Sequence, residues 1–140
     1  MRDDASDTRV ALVTGASRGL GYATARALGA AGTRVIAIIG DGSTMYSVQA
    51  FWSAAQLKLP ITFVILNNSR YAALQDFAPV FGFSSDDVVQ GTELPGIDFV
   101  SLAQSMGCQA TRVTEAARLR ATLQEALGSD RSNVVEIRIA

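Results

Sequence analysis

Two apolar runs constrain this chain more than anything else in it. Arg34–Ile39 (RVIAII) and Ile61–Leu66 (ITFVIL) show no alternation of polar and apolar residues, so a strand built from either must be covered on both faces. Between them Val48, Phe51, Trp52 and Ala55 recur at helical spacing, and Pro60 closes that segment. Strand, helix, strand in this order gives parallel strands joined by a right-handed crossover. Each run ends in a short polar motif: Gly40-Asp41-Gly42, then, after 24 intervening residues, Asn67-Asn68. Ligands in such sheets bind beyond the carboxyl ends of the strands. The carboxylate of Asp41 and the carboxamide of Asn68 are therefore expected to meet there, where their oxygens can hold a hard cation that bridges a diphosphate. Glycines on both sides of Asp41 let the backbone approach phosphates closely. Ser43 or Thr44 is expected to cap the following helix, whose N-terminus favours an anion.

The remaining pattern extends this unit. Val10–Thr14 reads as a strand that runs into a glycine-rich turn, and Tyr22–Ala31 as a helix stopped by Gly32. Tyr71–Phe77 reads as a short helix, and Pro79 through Gly91 as a long loop of the kind that is functional or mobile. Asp98 caps a helix bearing Phe99, Leu102, Ala103 and Met106, which ends at Gly107. Gln109–Val113 is a short strand, and Glu115–Leu127 a helix with Leu119, Leu123, Ala126 and Leu127 on one face. Val134–Ile139 alternates as an edge or half-exposed strand would. The fold class is α/β: three layers, α/β/α, around a mainly parallel five-stranded sheet of Rossmann or flavodoxin-like form. Residues 1–8 are read as a polar tail and 9–140 as one domain.

Composition removes several chemistries. The chain has 140 residues, a formal charge of −1 and no histidine. Serine–histidine and cysteine–histidine hydrolysis and histidine-containing zinc sites are thereby excluded. The near-zero charge gives no electrostatic case for nucleic acid or an anionic membrane. Cys108 is the only cysteine, so there is no intrachain disulfide. No run is long enough to span a bilayer, and the acidic start lacks the regions of a signal peptide, so the cytoplasm is the expected compartment.

The segment VIAIIGDGSTMYSVQAFWSAAQLKLPITFVILNNSRYAALQDF resembles the C-terminal, diphosphate-binding domain of thiamine diphosphate-dependent decarboxylases of the benzoylformate decarboxylase type. LPGIDFVSLAQSMGCQA and the closing VVEIRIA fit the end of that domain, so the resemblance covers residues 35–140. It implies thiamine diphosphate and Mg2+ as cofactors. Asp41, the side chain of Asn68 and the backbone carbonyl of Arg70 would bind the metal. Gly40, Gly42, Ser43 and the Tyr71 region would contact the diphosphate, and Ala73, Leu74 and Phe77 would line the substrate pocket. The family activates its cofactor with a glutamate from a separate pyrimidine-binding domain, so a chain of this kind is expected to be inactive alone. The family's domain packs against partners, and Phe77, Phe81 and Phe83 are expected to be exposed and available for self-association.

The start, ALVTGASRGLGYATARALGAAGTRVIA, resembles the opening β-α-β unit of short-chain dehydrogenases, with Thr14-Gly15 and Gly19-Leu20-Gly21 in a TGxxxGxG pattern. That resemblance implies an NAD(P) site at Gly15, Arg18, Gly19 and Gly21. Arg18 suits a 2′-phosphate, whereas Asp41, 20 residues after Gly21, suits ribose hydroxyls. No Tyr-x-x-x-Lys pair exists, because Lys58 is the only lysine. Gly19-Leu20-Gly21 also overlays a Gly-Leu-Gly of the decarboxylase domain, which would make Leu20 the support of the bent cofactor. Two resemblances meeting near residue 34 are most simply read as a recombined chain, natural or engineered. The expected function is thus a thiamine diphosphate/Mg2+-binding domain without turnover of its own. An NAD(P)-binding module and a ligand-free folding chimera are the alternatives.

Overall fold

In a computed structural model, residues 9–16, 19–84 and 87–139 are described. The β-branched runs become five strands, β1 (Val10–Thr14), β2 (Arg34–Gly40), β3 (Ile61–Asn67), β4 (Gln109–Val113) and β5 (Asn133–Arg138). They form one sheet in the order β1-β2-β3-β5-β4, with every neighbouring pair parallel. The helices are α1 (Gly19–Ala30), α2 (Asp41–Met45), α3 (Ala50–Gln56), α4 (Ala72–Phe77), α5 (Phe99–Ser105) and α6 (Ala116–Gly128), with a 3-10 turn over Ala78–Phe81. The α/β class and the five-stranded parallel sheet stand as the apolar runs implied. None of these helices is long and apolar enough to cross a membrane.

Side chains of β2 alternate between the two faces. Val35, Ala37 and Ile39 point into the larger core, joined there by Phe63 and Ile65 of β3 and Val134 of β5. Ala25 of α1, Phe51 and Ala54 of α3, and Phe99 and Ala103 of α5 cover that face. The Phe51 and Phe63 rings meet edge to face, with centroids 5.0 Å apart. The opposite face is smaller: Val113 and Val135 pack under Ala126, Leu119 and Leu123 of α6. Arg34 ties α6 to the sheet by donating to the Leu127 and Ser129 carbonyls at 2.8 and 2.6 Å. Its cation thus sits at the negative end of that helix, where it is stabilising. Cys108 lies buried in the larger core, and burial pushes its thiol up to about 11, so it is no nucleophile at neutral pH.

Three boundaries differ from the sequence reading. The residues at helical spacing between the two runs form α3 only from Ala50, and a separate short helix, α2, precedes it, starting directly at Asp41. Ser43 and Thr44 therefore lie inside a helix whose N-cap residue is Gly40, and the Thr44 hydroxyl donates back to the Gly40 carbonyl at 2.8 Å. Neither residue serves as the cap, because both lie past the first turn's start, and the Thr44 hydroxyl is occupied by the preceding turn. The third difference is β5. It is an interior strand between β3 and β4, and its polar Glu136 is fully buried. Alternation alone reports that successive side chains face opposite ways, not that one face is wet.

Candidate functional site

The turns that follow β2 and β3 open at the same end of the sheet, because the two strands are adjacent and parallel with Gly40 opposite Leu66. Asp41 is the first residue of α2 and is 3% exposed. Its Oδ1 accepts from the Gly42 N–H at 2.9 Å, and its Oδ2 accepts from the Arg70 N–H at 3.2 Å. A carboxylate this buried needs such donors, and both come from backbone next to the expected ligands. The Asn68 amide can be set either way round. In one setting its oxygen faces Asp41 Oδ1 at 3.3 Å and the Arg70 carbonyl at 2.9 Å; turned over, its NH2 donates to both. The first setting brings one charged and two neutral oxygens together, a donor set suited to Mg2+ that keeps phosphate oxygens among its ligands. The second setting satisfies the same groups without a cation. The sequence-predicted set of Asp41, Asn68 and Arg70 is thus brought to one place. No cluster of three His, Cys, Asp or Glu occurs among the described residues, so a cation held here would rely on neutral oxygens beside the one carboxylate.

Around these oxygens lies a cleft of about 240 Å³ whose lining includes Gly40, Gly42, Ser43, Tyr71, Ala73 and Leu74. Tyr71 closes one side. A Cβ built on Gly42 would stand 2.5 Å from Tyr71 Cδ1 and 2.7 Å from Cε1, so the ring rests on this glycine. Tyr46 meets the same ring edge-on, with centroids 6.2 Å apart. Gly42→Ala is expected to push the Tyr71 ring off α2 and break that pair. The near-ultraviolet tyrosine signal should change while the far-ultraviolet spectrum does not; an unchanged signal would mean the ring is not seated on Gly42.

The turn after β3 is held from behind. Ser69 adopts φ +59, a left-handed conformation that is unfavourable for a residue with a side chain. Its carbonyl accepts from the Leu94 N–H at 2.7 Å, and the Tyr71 N–H donates to the Thr92 carbonyl at 2.7 Å, so the segment around Glu93 clamps the turn. Part of the long loop is fixed as well: the Gln75 amide donates to the Thr92 hydroxyl at 3.0 Å, which donates to the Val89 carbonyl at 2.7 Å.

Other sequence candidates lie elsewhere. Gly15, Gly19 and Gly21 follow β1, and a Cβ on Gly21 would stand 2.5 Å from the Gly15 carbonyl oxygen. They do not line the cleft, and neither do Leu20, which is 88% exposed on α1, or Phe77, which is 59% exposed on α4. Arg18 lies outside the described residues. Because β1 is an edge strand, the turn after it has a neighbouring strand on one side only, unlike a dinucleotide site at a reversal of strand order.

Residues that the sequence reading did not single out also serve the site. Glu136 accepts from Asn67 Nδ2 at 2.6 Å and from Arg112 Nε at 2.8 Å, and Arg138 donates to the Ser69 hydroxyl at 2.8 Å. The one available signal was a carboxylate two residues before an arginine in an otherwise apolar strand. Hydrogen bonding to Glu136 raises the Arg112 guanidinium further.

The family model described as the thiamine pyrophosphate enzyme C-terminal TPP binding domain matches residues 4–137, a span that takes in the glycine-rich start. A benzoylformate decarboxylase of Pseudomonas aeruginosa is 38% identical over 126 residues, covering 87% of this chain and 23% of that protein. An acetolactate synthase large subunit of Corynebacterium glutamicum is 34% identical over 131 residues, covering 88% of this chain and 21% of that protein. The solved structure of a thiamine diphosphate-dependent 4-hydroxybenzoylformate decarboxylase from Rhodococcus jostii RHA1 aligns over 98% of this chain and 30% of its own, with TM-score 0.78 and 30% identity. This chain thus spans about a quarter of the length of the relatives it matches.

Proposed function

Since the chain belongs to the family of C-terminal thiamine pyrophosphate-binding domains, we propose that its cleft binds the diphosphate of thiamine diphosphate through a magnesium ion held by Asp41, Asn68 and the Arg70 carbonyl. The supporting observation is the convergence of Asp41 Oδ1 and the Arg70 carbonyl on the Asn68 amide, at 3.3 and 2.9 Å, in the lining of the cleft. Asp41 supplies the negative charge, and the two neutral oxygens leave coordination positions for phosphate oxygens and water. The glycines at 40 and 42 keep side chains out of the way of the diphosphate, and Ser43 and Tyr71 border it. When bound, thiamine diphosphate would supply the electron sink for the pair left on the oxo carbon of a 2-oxo acid as its carboxylate departs. This chain's residues hold and orient one end of the cofactor. Ala73 and Leu74 line the substrate side, with Phe77 on the same helix.

A relative that bears the name benzoylformate decarboxylase makes an aromatic 2-oxo acid the reading for substrate class. Turnover is proposed in combination with a pyrimidine-binding domain, since the cleft formed by these residues would hold the diphosphate end of the cofactor. The exposed rings of Phe77, Phe81 and Phe83 are the proposed surface for self-association. Sedimentation should show association that weakens in a Phe77→Ser, Phe81→Ser double variant; a wild-type monomer at high concentration would exclude it.

The test of cofactor binding is a calorimetric titration with thiamine diphosphate, with and without MgCl2, and with NAD and NADP in parallel. Heat that requires both thiamine diphosphate and magnesium is expected. The second reading, a dinucleotide at Gly15–Gly21, is favoured only by the close approach of Gly21 to Gly15. It predicts heat with NAD or NADP, independent of magnesium and lost in Gly19→Val. The recombined-chain account rests on the glycine pattern of the start, and one family match across 4–137 accounts for those residues without a junction.

A further inference from the structure

We infer that Glu136 is a positioning residue for the cation turn: through Asn67 and Arg138 it fixes Ser69, and thereby aims Asn68 and the Arg70 carbonyl at Asp41. The inference rests on the proposed reading of those three residues as the magnesium set. Glu136 sits in the interior of the sheet with no exposure at all. A carboxylate there is costly unless it is paired and hydrogen-bonded, and apolar residues of similar volume replace such groups with little loss of stability. Stability alone therefore gives no reason for a charge at this place.

Its two oxygens divide their partners. Oε2 accepts from Arg112 Nε at 2.8 Å, and Arg112 reaches on to Asp98, the N-cap of α5, at 2.6 Å. Oε1 accepts from Asn67 Nδ2 at 2.6 Å and faces Arg138 Nε at 3.6 Å. With its NH2 engaged by Glu136, Asn67 must present its oxygen the other way, and that oxygen accepts from the Ser69 N–H at 2.9 Å. Arg138 holds the same residue from its other side, donating to the Ser69 hydroxyl at 2.8 Å. Both side chains that hold Ser69 thus meet Glu136, while the Leu94 N–H on the Ser69 carbonyl is independent of it. A left-handed serine persists only where its surroundings over-determine it. Arg70 follows directly, its N–H on Asp41 Oδ2 at 3.2 Å and its carbonyl 2.9 Å from the Asn68 amide. Glu136 itself touches none of the oxygens that face the cleft.

The test uses the whole chain with two substitutions. Glu136→Gln keeps the shape but cannot accept from Asn67, Arg112 and Arg138 together. Arg138→Met leaves Glu136, Asn67 and Arg112 in place and removes a half-exposed side chain, so it reports on Ser69 even where Glu136→Gln fails to fold. The first readout needs no ligand: amide hydrogen exchange of Ser69 compared with that of Ile65 in β3. Glu136→Gln should speed exchange at Ser69 tenfold or more and leave Ile65 unchanged, with Arg138→Met smaller in the same direction. The second readout is calorimetry with MgCl2 and thiamine diphosphate, where a tenfold or greater loss of affinity is expected for Glu136→Gln. Equal acceleration at Ser69 and Ile65 would make the role structural and overturn the inference, as would unchanged exchange at Ser69 in both variants. A wild-type chain that binds no magnesium–thiamine diphosphate would overturn the proposed function, while the exchange comparison would still decide the role of Glu136.

Discussion

Asp41→Ala is expected to abolish magnesium-dependent binding of thiamine diphosphate, a loss of at least 100-fold in affinity. The substitution removes the one charged oxygen of the proposed cation set, and the neutral oxygens of Asn68 and Arg70 do not replace it. A divalent ion then has only carbonyl-type dipoles against it at this end, and a diphosphate next to an uncompensated ion site gains nothing from magnesium. A second loss comes from the turn. The Arg70 N–H and Gly42 N–H both donate to this carboxylate, and alanine leaves both without that acceptor at a largely buried position. Asp41→Asn separates the two effects. An asparagine keeps the volume and one acceptor oxygen for the backbone but lacks the charge, so the turn should survive and binding should still fall steeply. The measurement is the same calorimetric titration with saturating MgCl2, run beside far-ultraviolet circular dichroism. Wild-type affinity in Asp41→Ala would remove the cation site from this cleft altogether.

How much of this was legible beforehand depends on how local each feature is. Asp41 and Asn68 could be placed from sequence because each directly follows an uninterrupted apolar run, and adjacent parallel strands put their ends together whatever the rest of the sheet does. The backbone carbonyl of Arg70 leaves no mark on its own residue type and came only from a family resemblance. Glu136 was hidden by strand order. An alternating strand is read as half-exposed, but the β3–β5 pairing that buries Glu136 joins residues about 70 positions apart, and no local pattern encodes it. Asn67 shows the same limit in reverse. It looks equivalent to its neighbour Asn68 in the sequence, yet Asn67, the last residue of β3, turns into the sheet toward Glu136, and Asn68, just past the strand, turns toward Asp41. The glycine-rich start carries two resemblances for a physical reason. A tight turn between a strand and a helix needs the same glycines whether or not a pyrophosphate lies against it, and the 2.5 Å approach of Gly21 to the Gly15 carbonyl already requires one. The strand's position at the sheet edge is what separates the two cases, and that position is not local information.

Phe51→Ala should cost the fold about 3–5 kcal/mol, a large share of the roughly 5–15 kcal/mol that holds a domain of this size. Phe51 is 1% exposed and is among the largest fully buried side chains of the larger core. Its ring lies edge to face on Phe63, an arrangement worth about 0.5–1.5 kcal/mol beyond the area it buries. The cavity left by alanine would lie between α3 and the centre of the sheet. Collapse into it is restricted from both sides, because β3 is held by β2 and β5 and cannot move toward α3. The Phe51 carbonyl accepts from the Cys108 thiol at 3.4 Å, so α3 is also anchored to the start of β4 and cannot easily shift inward alone. Phe51→Leu, which fills most of the same volume, should lose less than half as much. Urea unfolding monitored by circular dichroism measures both, and the slope of the transition should stay near wild type if only native packing has changed. A loss below about 1 kcal/mol for Phe51→Ala would mean that α3 is not packed on the sheet as described. Because α2 and α3 are the only helices between β2 and β3, a loosened α3 also loosens the segment that carries Asp41, so cofactor affinity in Phe51→Ala should fall with stability rather than independently of it.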